Sequence, residues 1–246
     1  MQSNPRDTTR YVQKVYEMKS ELIQWKDSII QVIRDLQREY SHNKGLILTE
    51  GDLECHLYKR LTDSPNFNNY AKTKSSDWKT GFVHSQITWF KRENDSGFRV
   101  DLTVLKPENL SIQDYENSET YPHKGYFHDG MVVAIELKFI RTAEETEIEN
   151  KAKEDYLKIV NNLKKAKEFL IKNGRYKNVT TDEILFITLV ACKTKSIYEI
   201  AKKRLSDITC KVKCPDNIIP IVLYSDEIKI MNSSFQQSNN QNITTA

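Results

Sequence analysis

Alternating hydrophobic and polar positions predict two β-strands near the centre of the chain. Residues 132–140 are apolar except for Glu136 and Lys138, which stand two positions apart and therefore project from one face of a strand. Earlier in the chain, Asp101 alternates with apolar residues within 98–105. A lysine in an otherwise buried strand is unfavourable unless it is paired or used. If the two strands pair, Asp101, Glu136 and Lys138 meet at one point.

These three residue types together indicate a particular chemistry. Two carboxylates offer the oxygen ligands that hard divalent cations prefer. An ammonium beside a bound cation can orient or deprotonate a water molecule. The pattern therefore predicts a metal site with an adjacent lysine, and hydrolysis is the reaction that such a site favours.

In these residues the chain resembles the PD-(D/E)XK, or restriction-endonuclease-like, nuclease superfamily. The signature of that family is an acidic residue on one strand and Glu-x-Lys on the next, which Asp101 and Glu136-Leu137-Lys138 match. Val100 stands where some members have proline. Many members also carry a glutamate near the start of the first core helix, and Glu50 fits that position, with Glu54 as the competing candidate.

The resemblance implies an α/β fold in which a restriction-endonuclease-like mixed β-sheet core, in αβββαβ order, is flanked by helices. It implies hydrolysis of phosphodiester bonds of DNA with Mg²⁺ or Mn²⁺. Asp101, Glu136 and the carbonyl of Leu137 would hold the metal, Lys138 would position the attacking water, and Glu50 would support a second metal or an outer water. Restriction, phage (antiviral) defence and DNA repair are the settings that such folds occupy.

A second site in the sequence spells the family signature more literally. Pro215-Asp216 precedes Glu227-Ile228-Lys229, whereas the preferred site lacks the proline. After Glu227 only a short apolar remnant remains before a polar tract that cannot bury a core. The family's fold needs a further helix and strand after the motif, so the context favours Glu136. The other alternative is that both strands merely expose polar faces to solvent.

Hydrophobic periodicity predicts the remaining elements. A helix, or two, is expected from about Thr8 to Tyr40, and a core helix from the N-cap Thr49 to about Leu61. A strand at 82–90 should form a hairpin with 98–105, followed by a long polar insertion at 106–130. Further on, the pattern predicts helices at 144–172 and 197–205 and strands at 184–191 and 218–224, the last of them final.

These elements divide the chain into three parts. Residues 1–45 form an N-terminal helical extension, 46–230 the nuclease domain, and 231–246 a disordered C-terminal tail. The long apolar stripe of the N-terminal helix needs a partner surface. That surface is either another copy or another protein, or the helix's own core. The small size favours a homodimer or a subunit of a larger defence complex.

Charge is distributed unevenly along the 246 residues, whose formal net charge is +3. Residues 151–214 contain sixteen Lys and Arg against seven Asp and Glu, whereas 101–150 contain four against eleven. A basic half beside an acidic half is what a nuclease needs for phosphates and cations. The candidate nucleic-acid contacts are Lys72, Lys74, Lys79, His84, Gln86 and Lys158.

Several classes of protein are disfavoured. The four cysteines have no Cys-x-x-Cys spacing, so neither a disulfide framework nor zinc is expected. The sequence has no apolar run of membrane-spanning length and no signal segment, so a cytoplasmic protein without membrane contact is expected. The rival interpretations are a nucleic-acid-binding or assembly module built on a nuclease fold, and a nuclease acting on RNA.

Overall fold

The structure, a computed structural model, describes residues 5–74, 77–89, 98–112, 126–128, 132–172, 184–211 and 217–231. Its α-helices are α1 (Pro5–His42), α2 (Glu50–Asp63), α3 (Glu145–Lys172) and α4 (Lys195–Lys211). Its strands are β1 (Ala71–Lys72), β2 (Lys79–Thr80), β3 (Val83–Ser85), β4 (Thr88–Trp89), β5 (Phe98–Arg99), β6 (Leu102–Leu105), β7 (Leu110–Ile112), β8 (Tyr126–His128), β9 (Val132–Ile140), β10 (Ile184–Cys192), β11 (Ile218–Tyr224) and β12 (Glu227–Ile230).

A six-stranded mixed sheet in the order β12-β11-β10-β9-β6-β3 organises the molecule. The three strands β9, β10 and β11 run parallel, because α3 and α4 provide the long crossovers that parallel neighbours need. The outer strands β12, β6 and β3 run antiparallel to their neighbours. The expected mixed α/β architecture is therefore confirmed. Within the described residues no helix is both long enough and apolar enough to cross a bilayer.

The two faces of the sheet bury separate apolar clusters. Along β9, Val133, Ile135 and Leu137 belong to the cluster beneath α1 and α2, whereas Ala134 and Ile140 belong to the cluster beneath α3 and α4. Glu136 and Lys138 have the same parity as this second group, so they project toward the α3 side of the sheet.

Helix α2 begins where local chemistry predicts. The Thr49 hydroxyl accepts a hydrogen bond from the Asp52 backbone N–H at 3.1 Å, and Asp52 Oδ2 accepts one from the Thr49 N–H at 2.9 Å. This reciprocal capping box satisfies two N–H groups that would otherwise lack partners at the helix start. Leu53 and Leu57 are fully buried against the sheet. The helix therefore holds its first residue, Glu50, close to the same surface.

Helix α1 is a single helix, and its second half packs on the protein's own core. Trp25, Ile29 and Ile33 are buried in the cluster that α2 and the sheet share. The Trp25 ring meets Phe67 edge-on, with centroids 5.6 Å apart. Cover for the core is thus observed for this half. An assembly contact stays a prediction for the part of α1 before Ser20, whose side chains lie outside the described residues.

Three predicted elements differ from the observed ones. Strand β11 is not final, because the turn at Ser225-Asp226 returns the chain as β12, whose Ile228 and Ile230 pack on the apolar cluster beneath α1. Helix α4 runs to Lys211, six residues past the predicted end at Leu205. Residues 106–130 were expected to be a polar insertion, yet they contain a 3-10 turn at 107–109 and the strand pair β7–β8.

The predicted hairpin of residues 82–105 is present but interrupted. Its inner part pairs β3 with β6, and its outer part pairs β4 with β5. Between these parts the Gln86 N–H donates to the Asp101 carbonyl at 2.8 Å, and Gln86 has a φ of 57°, in the left-handed region that non-glycine residues seldom adopt. Asp101 therefore lies at a bend just before β6 and not within a continuous strand.

Candidate active site

Strand register aligns four polar residues across the sheet. Ser85 pairs with Leu102, and Leu102 pairs with Ile135. The neighbouring residues Gln86, Asp101 and Glu136 consequently lie in line, one from each side of the interrupted hairpin and one from β9. On the other side of Glu136, its parallel partner on β10 is Thr188. The row places the groups at one level of the sheet, where side chains from α2 and α3 can reach them.

The Asp101 carboxylate is held against the middle of the Glu-Leu-Lys segment. Its Oδ2 accepts a hydrogen bond from the backbone N–H of Leu137 at 2.8 Å, and its Oδ1 is 3.4 Å from Gln86 Nε2. The bend before β6 explains this arrangement, because it lets the side chain accept the N–H that a regular ladder would direct to a backbone carbonyl. Asp101 therefore lies beside the predicted partner residues.

Glu136 is the most buried carboxylate of the site, with 3% of its surface exposed. Its Oε1 accepts a hydrogen bond from Lys158 Nζ of α3 at 2.8 Å. Burial raises the pKa of Glu136 to about 8; Lys158 opposes this rise, and the negative charges of Asp101 and Asp155 add to it. The negatively charged form of Glu136 is therefore disfavoured at neutral pH, and additional positive charge nearby would stabilise it.

Lys138 lies between carboxylates from two helices. Its Nζ is 3.6 Å from Glu50 Oε2 of α2 and 3.7 Å from Asp155 Oδ2 of α3. Burial works against its charged form, but the carboxylates of Asp155, Glu50, Glu154 and Asp101 outweigh burial and raise the pKa of Lys138. Lys138 is accordingly an ammonium ion at neutral pH, held in position by its acidic neighbours.

Both glutamates considered for the first core helix reach the site. Glu50 Oε2 accepts from the Phe139 backbone N–H at 3.3 Å, next to Lys138. Glu54, one helical turn later, accepts from Gln86 Nε2 with both oxygens, each at 3.1 Å. The Arg99 guanidinium donates to the Gln86 side-chain oxygen and completes this contact. The helix thus presents two carboxylates to the row, Glu50 toward β9 and Glu54 toward the hairpin.

The sequence pattern did not predict Asp155 as a site residue, and it predicted Lys158 as a nucleic-acid contact instead of a partner of Glu136. Both lie on α3, three residues apart and hence on one side of the helix. Burial raises the pKa of Asp155 to about 6, with Lys138 and Lys158 opposing the rise. The signal that would have found them is an acid and a lysine at helical spacing beside the apolar stripe of α3, which contains Ala152 and Tyr156.

Of the other candidate nucleic-acid contacts, Gln86 belongs to this row, whereas Lys72, Lys74, Lys79 and His84 do not. Lys72 is in an ion pair with Asp77 at 2.7 Å, on the β1–β2 hairpin that also carries Lys74 and Lys79. The His84 Nε2 is 3.0 Å from the Gly81 carbonyl, and burial lowers the pKa of this half-buried imidazole. Lys158 was expected to contact phosphate, but the structure places it in an ion pair with Glu136.

The donor chemistry of the site fits a hard divalent cation. Five carboxylates surround two ammonium groups, the members being Glu50, Glu54, Asp101, Glu136 and Asp155 with Lys138 and Lys158. Two buried oxygens at the site, Asp155 Oδ2 and Thr188 Oγ1, have no hydrogen-bond partner among the described residues, although Lys138 Nζ lies 3.7 Å from the former. An excess of negative charge and orphaned oxygens are both relieved by a cation.

The carboxylates of the site do not form a ready set of metal ligands in this arrangement. Within the described part of the chain, no three His, Cys, Asp or Glu side chains are close enough together to bind an ion as they stand. Lys158 occupies Glu136 Oε1 instead. The residues present therefore fit a divalent cation in type and charge, and Lys158 would compete with such a cation for Glu136 Oε1.

Comparison with known proteins identifies no relative. No protein-family model matches the chain, and no match is found among curated proteins or among solved structures.

Proposed function

We propose that the protein is a nuclease of the PD-(D/E)XK class that hydrolyses phosphodiester bonds of DNA with Mg²⁺ or Mn²⁺. The observation that carries the proposal is the 2.8 Å hydrogen bond from the Leu137 N–H to Asp101, which brings the acidic residue before β6 beside Glu136 and Lys138 of β9. When only the strands of the six-stranded sheet are counted, the order α2, β3, β6, β9, α3, β10 is consistent with the αβββαβ succession of that class.

Each residue has a role in this proposal. Asp101, Glu136 and the Leu137 carbonyl would hold the metal, and its positive charge would stabilise the nonbridging and leaving oxygens of the phosphate. Lys138 positions the attacking water, and Glu50 keeps the ammonium in place at 3.6 Å. Attack in line with the leaving group then leaves a 5′-phosphate and a 3′-hydroxyl.

An enzyme accounts for the site better than a scaffold does. Burying Glu136 and Asp155 beside other carboxylates raises their pKa values, to about 8 and about 6, and so disfavours the charged forms. A binding or assembly module has no use for that arrangement. A nuclease uses it, because a cation restores the balance. RNA remains the competing substrate, since phosphate contacts do not distinguish it from DNA.

The biological setting and the assembly are part of the proposal. Restriction, antiviral defence and repair are settings in which a small DNA-cleaving domain acts with a second copy or within a larger complex. The buried half of α1 leaves the residues before Ser20 as the part of that helix on which such an assembly would depend.

The experiment that tests this proposal compares substrates and metals. Purified protein is incubated with supercoiled plasmid, linear duplex, single-stranded DNA and RNA, each with EDTA, Mg²⁺ or Mn²⁺. We expect cleavage of DNA only with metal, and loss of cleavage in Asp101→Asn. Preferred cleavage of RNA would change the proposed substrate from DNA to RNA. Full activity in a folded Asp101→Asn protein would contradict the assignment of Asp101 to the active site.

A further inference from the structure

The short β1–β2 hairpin presents one face with an aromatic ring between lysines. Its ladder pairs Ala71 with Thr80 and Lys72 with Lys79. Directly opposed residues share a face and successive residues alternate, so Lys72 and Lys79 lie on the same face as Tyr70. The opposite face carries the half-buried Ala71 and Thr80 and turns toward the body of the protein.

Tyr70 is the most exposed large hydrophobic residue of the described part of the chain, with 75% of its surface accessible. Its ring lies against Gly81, since a Cβ added there would come within 3.9 Å of Tyr70 Cε1. A single exposed aromatic residue needs no explanation. A tyrosine that shares its face with Lys72 and Lys79 differs from such an isolated residue, because the face combines a stacking surface with positive charge.

The hairpin is well anchored and lies near the candidate site. Thr73 is buried, its N–H donates to the Trp78 carbonyl at 2.8 Å, and the next N–H donates to the Leu110 carbonyl at 2.8 Å. Gly81 leads directly into β3, at whose far end Gln86 contacts the site. Five residues span at most about 18 Å of extended chain, so the two points are separated by no more than that.

We propose that the face formed by Tyr70, Lys72 and Lys79, called here the tyrosine platform, binds an unpaired strand of nucleic acid. A base stacks on Tyr70, and the flanking phosphates contact the lysines. This inference rests on the proposed nuclease function and narrows its substrate to DNA or RNA with a single-stranded segment.

The chemistry of the platform favours this occupant over a protein. Alternating aromatic and cationic groups match the alternation of bases and phosphates along a single strand. Stacking on Tyr70 needs a base whose flat face is accessible, which a duplex does not offer. Lys72 is shared with Asp77 at 2.7 Å, and a phosphate would compete with that carboxylate. Charge complementarity therefore points to a polyanion with accessible rings.

Equilibrium binding tests the platform without relying on cleavage. The full chain is titrated, in EDTA, into fluorescent oligo-dT and oligo-U of about 16 nucleotides and into a duplex of equal length. We expect the wild-type protein to prefer the single strands. Tyr70→Ala should weaken single-strand binding about tenfold, the scale of one lost stacking contact, while Tyr70→Phe keeps it.

Matched variants separate stacking from general charge. Tyr58→Ala, which removes an exposed tyrosine from α2, should leave binding unchanged. Lys79→Gln should reduce the slope of log affinity against log salt by about one. Asp77→Asn should strengthen binding, because it frees Lys72 for phosphate. Thermal unfolding of each variant shows that the fold is retained.

Three outcomes would overturn the platform. These are unchanged single-strand affinity in folded Tyr70→Ala, an equal loss in Tyr58→Ala, and equal weakening for duplex and single strands. The comparison of oligo-dT with oligo-U assigns the strand to DNA or RNA. Binding that depends on Tyr70, in a protein that cleaves nothing with any metal, would support the platform and refute the nuclease. Cleavage that persists with unaltered binding in Tyr70→Ala would do the reverse.

Discussion

The same pattern, Glu-x-Lys, lies in two strands of one sheet with very different surroundings. Glu136 on β9 is 3% exposed, has a strand on either side and accepts a hydrogen bond from Lys158 of α3. Glu227 on β12 lies on the outermost strand, has 39% of its side chain exposed and is 3.3 Å from Lys195. Asp216, the acidic residue that would complete the second site, lies outside the described residues.

This difference shows that the residues surrounding a Glu-x-Lys pattern, more than the pattern itself, determine which chemistry is possible there. At β9, the adjoining β6 brings Asp101, and α3 brings Asp155 into contact with Lys138. At β12, the single neighbouring strand places Tyr224 opposite Glu227 and Val222 opposite Lys229. Burial raises the pKa of Glu136 to about 8. A bound cation would therefore stabilise the charged carboxylate of Glu136 more than it would stabilise the half-exposed carboxylate of Glu227.

The largest expected difference is between the two glutamates, each replaced by glutamine. Glu136→Gln should lower cleavage by about 100-fold or more, because it removes a group on which the metal's charge stabilisation depends. Glu227→Gln should retain activity. Rates on plasmid DNA with Mg²⁺ measure both. An active Glu136→Gln beside an inactive Glu227→Gln would assign the chemistry to the edge strand.

The lysines of the two patterns provide the next comparison. Lys138→Ala should reduce turnover by about 100-fold, the lower range for a group that assists proton transfer or orients water. Metal affinity, measured by titration calorimetry, should not weaken, since an ammonium is not a ligand. Lys229→Ala should change neither quantity. Wild-type turnover in Lys138→Ala would remove this lysine from the mechanism.

The ion-pair partners offer a third comparison, between Lys158 and Lys195. Because Lys158 occupies Glu136 Oε1 at 2.8 Å, it competes with a divalent cation for that carboxylate. Lys158→Gln should therefore tighten Mn²⁺ binding by about tenfold, a difference of ~1.4 kcal/mol. Lys195→Gln, at the exposed pair with Glu227, should leave calorimetric affinity as it was. Weaker binding in Lys158→Gln would mean that the lysine supports the metal instead.

A fourth comparison, between Glu136 and Glu227, concerns the pH dependence of stability without metal. The pKa of Glu136 rises on folding from 4.5 to about 8, so the native state binds its proton more tightly than the unfolded state does. Its contribution to stability is full below pH 4.5 and is lost as the pH rises through 8. Asp155, raised from 3.8 to about 6, acts in the same direction over a lower range.

Thermal unfolding in EDTA between pH 5 and pH 9 measures this effect. The melting temperature of the wild-type protein should fall toward alkaline pH more steeply than that of Glu136→Gln. Glu227→Gln should follow the wild-type curve. Parallel curves for wild type and Glu136→Gln would show that Glu136 does not titrate in this window.

Local patterns carried the prediction of most elements. Alternation along 132–140 predicted both the strand and the shared face of Glu136 and Lys138, because successive side chains of a strand point to opposite faces of the sheet. Thr49 and Asp52 predicted the start of α2, because a capping box is completed within four residues. β12 escaped prediction, since a four-residue edge strand has too few residues for its period to stand out from coil.

By itself the sequence determined which residues share a strand face or a helix stripe, since those relations depend only on the repeat of the backbone. Tertiary structure alone decided that Asp155 and Lys158 of α3 lie over β9, that Glu54 meets Gln86, and that the hairpin bends at Asp101. The contacts of Lys158 with Glu136, of Glu54 with Gln86 and of Asp101 with the Leu137 N–H join residues 22, 32 and 36 positions apart. They depend on strand register and helix docking, which the packing of the whole core sets and no local repeat encodes.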